Sequence, residues 1–341
     1  MLKEHGYWLK TNLIKTRLKS SHRTAHHLFS PVVCFGAVLL ISTKTQAQNL
    51  FVTGINDVYE ITLGGVPSTF ADLVYPSGLA FDSAGDLFVS SGDARPVLGD
   101  ITPSGTAGSF SSGLLFWPVM PAINGAGDLF VAVGGGRSYG GSGSGTIYEF
   151  TPGGAQSTFA SGLSNVPYGG LAFNSAGDLF SADGGSIYEY TPDGVRSTFA
   201  SGLNEPLGLA FNNAGDLFVA ENGSGNIYEF TPDGVQSTFA SGLDAPVGLA
   251  FDGAGDLFAA DAPSGTIYEY TPDGVRSIFA SGLIEPQYIA IQGVILPVPE
   301  PSVLGLLALG TIALLVRRRR NLPRCPVIYV RTVRDEDSGI F

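Results

Sequence analysis

Short apolar stretches of four or five residues alternate with polar turns along most of this chain, and the pattern returns about every 40 residues. The copy at 208–243 shows it clearly, with apolar runs at Gly208–Phe211, Leu217–Ala220, Ile227–Thr231 and Ser237–Ala240. None of these runs approaches the roughly 10–12 residues that a helix needs, so each copy predicts four β-strands. In Ile227–Thr231 the aromatic residues alternate with Ile and Glu, which is the period of two expected of a strand.

Four strands in about 40 residues are typical of one blade of a β-propeller. A β-solenoid is the alternative, but its repeats are usually shorter. Six copies are counted from their second strands, which begin at Leu50, Leu87, Leu129, Leu179, Leu217 and Leu257. The first copy lacks a first strand, and a matching segment occurs after the last copy, at Tyr288–Ile291. We therefore predict an all-β, six-bladed propeller of four-stranded blades at 48–293, whose closing blade takes its innermost strand from the C-terminal side.

Acidic residues recur at fixed positions of the repeat. A residue that is present in every copy meets a need that every blade shares, so we expect it to be structural. One such set lies in the turn after the first strand and is expected to bond nearby backbone amides: Asp86, Asp128, Asp178, Asp216 and Asp256. A second set ends the second strand and has the same structural interpretation: Asp183, Glu221 and Asp261.

The first 47 residues differ from the repeats. They carry several lysines and arginines, then the apolar run Pro31–Ile41, then small residues up to Ala47. A basic region, a short apolar core and a small-residue exit predict a secretory signal peptide at 1–47. A plain N-terminal anchor is the alternative.

A different arrangement follows the repeats. Residues 294–302 form a linker that contains Pro-Glu-Pro, 303–320 hold an apolar run and an arginine cluster, and 321–341 are a tail of unknown role. The apolar run predicts a short transmembrane helix, and arginines directly after it would stay on the cytoplasmic side. The residues of the motif are Pro299, Glu300, Pro301, Arg317, Arg318, Arg319 and Arg320.

This order of Pro-Glu-Pro, apolar helix and arginines over 298–320 closely resembles the PEP-CTERM sorting signal. The resemblance implies a bacterial protein that is exported to the cell envelope or the extracellular space. It also implies an exosortase-type enzyme as processing partner and a transient anchor in the inner membrane. A role near extracellular polysaccharide is expected on the same ground. The tail after the arginines departs from the family, whose members normally end soon after them.

Charge and composition exclude several classes of function. The whole chain has a formal charge of −12, but the span 48–298 holds 25 acidic residues and only four arginines, a formal charge of −21. Such a surface repels phosphate backbones, which argues against nucleic acid as a partner. All four histidines and both cysteines lie outside this span. Disulfides, thiolate nucleophiles, zinc sites of the usual ligands and Ser-His-Asp catalysis are thereby excluded from the ring.

The strand pair Pro-x-Gly-Leu-Ala-Phe and Gly-Asp-Leu-Phe-Val-Ala resembles the NHL repeat and the SMP-30/gluconolactonase-like propellers over residues 50–293. These families include enzymes and pure binding scaffolds, so the resemblance speaks to fold more than to activity. Some members hold a divalent cation in the central channel. Carried over here, that implies Glu205 and Glu285 as metal ligands, with Ca²⁺ as the cofactor of a lactonase-like hydrolase.

Function is expected where the copies differ, in the loop that leads into each innermost strand. Trp117, Tyr168 and Gln287 lie there and could form a sugar-binding surface, with aromatic stacking and an amide for hydroxyl groups. Packing is the alternative for Trp117. We expect a non-enzymatic binding or matrix-associated scaffold. The alternatives are the cation-dependent hydrolase and a structural surface protein without a specific ligand.

Overall fold

The structure is a computed structural model that describes residues 48–91, 97–103, 105–111, 118–134, 144–163 and 169–293. All of them belong to one compact unit, Thr45–Phe341. The predicted signal peptide, the Pro-Glu-Pro linker, the predicted membrane helix with its arginines and the tail lie outside the described residues. In the described part, no helix is long and apolar enough to cross a membrane.

All regular secondary structure in the described residues is β-strand. In chain order the strands are β1 (Leu50–Thr53), β2 (Asp57–Ile61), β3 (Pro67–Asp72), β4 (Pro76–Phe81), β5 (Leu87–Ser91), β6 (Val97–Ile101), β7 (Ala107–Ser111), β8 (Pro118–Ile123), β9 (Leu129–Val133), β10 (Gly145–Phe150), β11 (Gln156–Leu163), β12 (Leu171–Phe173), β13 (Leu179–Asp183), β14 (Ser186–Tyr190), β15 (Arg196–Ser201), β16 (Pro206–Phe211), β17 (Leu217–Glu221), β18 (Asn226–Phe230), β19 (Gln236–Ala240), β20 (Pro246–Phe251), β21 (Leu257–Asp261), β22 (Thr266–Tyr270), β23 (Arg276–Ser281) and β24 (Ile289–Ile291).

The strands form six antiparallel sheets of four, which are the six predicted blades. Blade 1 has the order β24-β1-β2-β3, and blades 2 to 6 each contain four consecutive strands, from β4–β7 to β20–β23. The innermost strands of successive blades contact one another around a closed circuit, from β24 through β4, β8, β12, β16 and β20 back to β24. Every second strand begins at the leucine from which the blades were counted. The predicted six-bladed propeller is therefore confirmed.

Blade 1 combines the two ends of the repeat region. Strand β24 pairs antiparallel with β1, with Ile289 opposite Val52 and Ile291 opposite Leu50. All four side chains are buried and belong to one cluster between blades 6 and 1. The innermost strand of this blade therefore comes from the C-terminal side, as the sequence predicted.

Aromatic residues on the second strand bridge neighbouring blades. Phe218 packs edge-to-face against Phe239 of its own blade and Phe251 of the next, with ring centroids 5.0 and 4.9 Å apart. Equivalent pairs recur in other blades, for example Phe180 with Phe199. Edge-to-face pairs add about 0.5–1.5 kcal/mol to the free energy of burial. Because every residue of β17 is buried, this strand packs on both faces as predicted.

In blades 5 and 6 the innermost strand approaches the next one so closely that it requires glycine. A Cβ placed on Gly208 would lie 2.3 Å from the carbonyl oxygen of Val247, and one on Gly248 would lie 2.4 Å from that of Gln287. Real Cβ atoms do not come so close to backbone atoms. The glycine of the repeat motif therefore allows neighbouring innermost strands to lie close together around the central channel.

The two faces of the ring differ in their connections. One face carries the turns between the first and second and between the third and fourth strands of each blade, and all eleven are five residues long. We call it the constant face. The opposite face carries the connections between second and third strands and between blades, which range from two to eleven residues. We call it the variable face.

Asparagine holds the turns of the constant face in three blades. The Asn212 side-chain oxygen accepts the backbone N–H groups of Ala214 (2.9 Å) and Asp216 (2.8 Å). Its Nδ2 donates to the Asp216 carboxylate at 2.9 Å. The prediction that the recurring aspartate bonds the backbone amides was wrong, because the residue four positions earlier does so. The turns at Asn124 and Asn174 have the same bonds.

Blades 2 and 6 have aspartate in place of this asparagine. Asp82 and Asp252 accept the same two amides, but they have no N–H with which to bond the second carboxylate. Burial raises the pKa of Asp86 and Asp256, and the neighbouring charges of Asp82 and Asp252 add to this rise. These two turns therefore hold pairs of like charges that the other three do not.

Candidate functional site

A cavity of about 660 Å³ opens on the variable face, at the mouth of the central channel. It is lined by the ends of inner and second strands from blades 4, 5, 6 and 1. Its volume lies within the roughly 300–1,000 Å³ that is usual for small-molecule sites. Four blades thus contribute to one concave surface, whose residues span more than 100 positions of the sequence, from Gly169 to Tyr288.

The deeper part of the cavity is apolar. Val247 and Tyr288 line it and pack with Met120 in a small buried cluster, against which Leu207 and Ala262 also pack. Burial raises the pKa of the Tyr288 hydroxyl well above its usual value, so this group is neutral throughout the physiological pH range. The floor therefore offers apolar surface and carries no charge of its own.

The closing strand positions one polar side chain at this cavity. The N–H of Gln287 donates to the carbonyl of Thr53 at 2.7 Å, and the N–H of Tyr288 donates to Thr53 Oγ1 at 3.0 Å. Thr53 returns a bond from its own N–H to the Tyr288 carbonyl at 3.0 Å. These bonds fix the backbone of Gln287, which is half-buried and lines the cavity wall.

Glu205 stands at the entry to β16 in an unusual backbone conformation. Its φ is 55°, and the other non-glycine residues with positive φ in the described part are Tyr75 (49°) and Glu285 (44°). Each of the three precedes a proline that begins or leads into an innermost strand on the variable face. The left-handed region costs about 1–2 kcal/mol for a residue with a Cβ. The variable face thus stores backbone strain at its channel rim.

The buried acids that end the second strands bond the loops of the variable face. The Glu221 carboxylate accepts the N–H of Asn204 at 2.6 Å, and Asp261 accepts the N–H groups of Asp244 and Ala245 at 2.8–3.2 Å. Both are at most 4% exposed. The structural role predicted for them is confirmed. Asp183, the third member of the set, is also buried and contributes to the cavity wall.

The structure brings two of the predicted site residues together. Glu205 and Gln287 line the same cavity. Glu285 is exposed and is not among the lining residues of the described part. Trp117, Tyr168 and the sorting residues Pro299, Glu300, Pro301, Arg317, Arg318, Arg319 and Arg320 lie outside the described residues.

The donor set does not fit the cation that the gluconolactonase-like resemblance implies. Ca²⁺ requires six to eight oxygen ligands, with carboxylates prominent among them. Within the ranges that the structure describes, no three His, Cys, Asp or Glu side chains come together in a metal-binding arrangement. Glu205 alone contributes an exposed carboxylate to the cavity wall. We therefore derive no chemistry through a bound cation.

Sequence reasoning did not identify the floor of the cavity. Val247, Tyr288 and Ala262 belong to the apolar repeat pattern and carry no chemical signal of their own. A usable signal does exist, because the residue that follows the proline at the start of an innermost strand lines the cavity in blades 5, 6 and 1. That position is Leu207 in blade 5, Val247 in blade 6 and Gln287 before β24, and all three line the cavity.

Comparisons with known proteins agree with this architecture. The structure is similar to a chain of a nidogen/laminin complex, at 18% identity and a TM-score of 0.63, over 72% of this chain and 98% of that one. It is also similar to virginiamycin B lyase from Staphylococcus aureus, at 16% identity and a TM-score of 0.51, over 71% and 78% of the two chains. A protein of unknown function from Bacteroides thetaiotaomicron matches at 15% identity and a TM-score of 0.54, over 71% and 70%.

At these identities the matches show the fold alone. No curated protein matches the sequence. One family model does match, that of the PEP-CTERM protein-sorting motif, over residues 297–320. It coincides with the Pro-Glu-Pro, apolar and arginine segments identified from the sequence. The protein is therefore a six-bladed β-propeller that carries a PEP-CTERM sorting motif behind its closing strand.

Proposed function

We propose that this protein is an exported, non-enzymatic binding module of the cell envelope that holds its ligand in the channel cavity. The sorting motif supports export and processing by an exosortase-type enzyme. The observation that carries the binding role is the cavity itself, whose floor is apolar and whose wall carries the Gln287 amide and the Glu205 carboxylate.

A short stretch of neutral polysaccharide suits this surface. A sugar ring presents an apolar face, which matches Leu207 and Val247, and hydroxyl groups at its edge. The Gln287 amide can donate to and accept from such hydroxyls, while Glu205 can only accept. The charge of −21 on the ring disfavours acidic sugars by repulsion. Association with a matrix polysaccharide follows as the proposed role outside the cell.

Calorimetric titration with neutral and acidic oligosaccharides tests this proposal. We expect neutral sugars to bind and Gln287→Ala to weaken binding about tenfold, which corresponds to one charge-free hydrogen bond of about 1.4 kcal/mol. Gln236→Ala is the matched control, since Gln236 is exposed on β19, far from the channel. Absence of binding, or equal loss in both variants, would contradict the cavity as the binding site.

The hydrolase alternative has its own test in the same protein. Calcium titration with Glu205→Gln and Glu285→Gln would reveal a channel cation if binding is tight and lost in both variants. Such a result would replace the binding proposal with a cation-dependent activity. We expect no tight calcium binding, because the described donors form no cation cage.

A further inference from the structure

Both ends of the propeller chain leave the ring on the constant face. From Gln287 at the cavity end of the channel, the chain continues through β24 to Ile291, which lies opposite Leu50 at the start of β1. The N–H of Gln292 then donates to the carbonyl of Asn49 at 3.1 Å. Because β24 is the innermost strand of its blade, the C-terminal segment departs close to the channel axis.

The distance from this exit to the sorting motif is short. The motif begins at residue 297, five residues after Gln292, and the predicted membrane helix begins at Val303. Eleven residues therefore separate Ile291 from Val303. Fully extended, such a linker spans about 40 Å at most.

A linker of this length restricts how the ring can lie on a membrane. To place the variable face against the bilayer, the linker would first cross the constant face from the innermost to the outermost strand, about 14 Å at the usual strand spacing. It would then follow the blade for about 17 Å, the length of a five-residue strand. Side chains and turns lengthen both paths, so little would remain to reach the bilayer.

We infer that the membrane-tethered protein holds its constant face towards the bilayer and presents its variable face, with the cavity, away from it. This inference rests on the proposed export through the PEP-CTERM motif and on the membrane anchor that the apolar run of the motif predicts. The orientation leaves the cavity open to a polysaccharide outside the membrane. Processing at the motif would then release a ring that keeps β24, because the motif lies beyond the closing strand.

Four single-cysteine variants of the full chain can measure this orientation. Val195→Cys and Ser201→Cys place a label at the constant and variable ends of β15 in blade 4. Val66→Cys and Val74→Cys do the same around β3 in blade 1, on the opposite side of the ring. All four positions are exposed, and Cys34 and Cys325 are replaced by serine in the background.

Each labelled protein is reconstituted into phosphatidylcholine vesicles that contain a headgroup-labelled energy acceptor, and bound protein is isolated by flotation. We expect positions 66 and 195 to be quenched more strongly than 74 and 201, since each pair is separated by about 20 Å or more along its strand. Equal quenching within both pairs, or stronger quenching at 74 and 201, would overturn the inference. A ring that stands on its edge would give equal quenching within each pair and stronger quenching in one blade than in the other, which would also overturn the inference.

Failure of the tethering is a separate result. If the full chain does not float with the vesicles, the tethering and the inferred orientation are both refuted. The saccharide titration is carried out without a membrane, so the binding role of the cavity would be unaffected by that outcome.

Discussion

The constant and variable faces are built from the same repeats, yet they differ in almost every respect that bears on function. On the constant face, turns of one length repeat with the same side-chain bonds, as at Asn124, Asn174 and Asn212. On the variable face, connection lengths differ between blades, three residues adopt strained backbone and the cavity opens. The repeats are thus uniform in the turns of the constant face and diverge on the face where the cavity opens.

The largest effect on stability is expected from removing β24, the innermost strand of blade 1, which closes the ring. Deletion of 285–293 removes Ile289 and Ile291 from the core and leaves β1 with an unpaired edge. Because the ring can then no longer close, we expect loss of cooperative unfolding of the whole ring in thermal and urea denaturation. The exposed strand edge should also make the variant prone to aggregate.

Truncation after Gly293 is the control for this deletion. It removes the sorting motif but keeps β24, so the melting temperature of the ring should stay unchanged. A deletion variant that melts like this control would show that closure by β24 contributes nothing to stability.

A substitution in a turn of the constant face should have a smaller effect on stability, and it can be compared with one on the variable face. Asn212→Ala removes the oxygen that accepts two backbone amides and the donor to Asp216. We expect the free energy of unfolding to fall by about 1 kcal/mol, because a partly buried turn loses three side-chain hydrogen bonds. Urea denaturation at neutral pH measures it.

Asn222→Ala gives the comparison on the variable face. The Asn222 side chain makes one long bond of 3.4 Å to the carbonyl of Pro246, so we expect a loss of less than about 0.5 kcal/mol. Equal losses in the two variants would show that the constant face is no more tightly built than the variable one.

The repeats explain why the fold could be predicted and the site only in part. Blade number, the six second strands and the closing segment follow from patterns that every copy shares. The cavity is formed by residues such as Leu207, Val247 and Tyr288, which are ordinary apolar members of that pattern and become neighbours only when the ring closes. Glu205 and Gln287 could be selected because they depart from it.

The sequence also did not reveal which side chain accepts the backbone amides within a turn of the repeat. Asn212 and Asp216 both recur in the repeat, and the pattern alone does not tell which side chain accepts the amides. Geometry decides, since an oxygen at the first position of the turn lies within reach of the N–H groups two and four residues later.

The last effect is also small and concerns the two turns of the constant face that have aspartate in place of asparagine, at Asp82 and Asp252. Burial and the charges of Asp82 and Asp252 raise the pKa of Asp86 and Asp256. A carboxyl whose pKa is raised in the fold contributes its stability below the unfolded pKa of about 3.9, and this contribution is lost as the pH rises through the folded pKa. Asp82→Asn and Asp252→Asn should therefore stabilise the protein at pH 7, by about 0.5 kcal/mol each, since solvent screens such pairs.

The gain should shrink at about pH 3.5, where Asp86 and Asp256 are largely protonated in both states. The reverse change, Asn212→Asp, should cost a similar amount at neutral pH and less in acid, because it creates the like-charge pair in a turn that lacks one. Urea denaturation at both pH values measures all three variants. A gain from Asp82→Asn that is the same at both pH values would mean that the amide acts through packing, and the two acidic turns would then differ from the others in shape instead of charge.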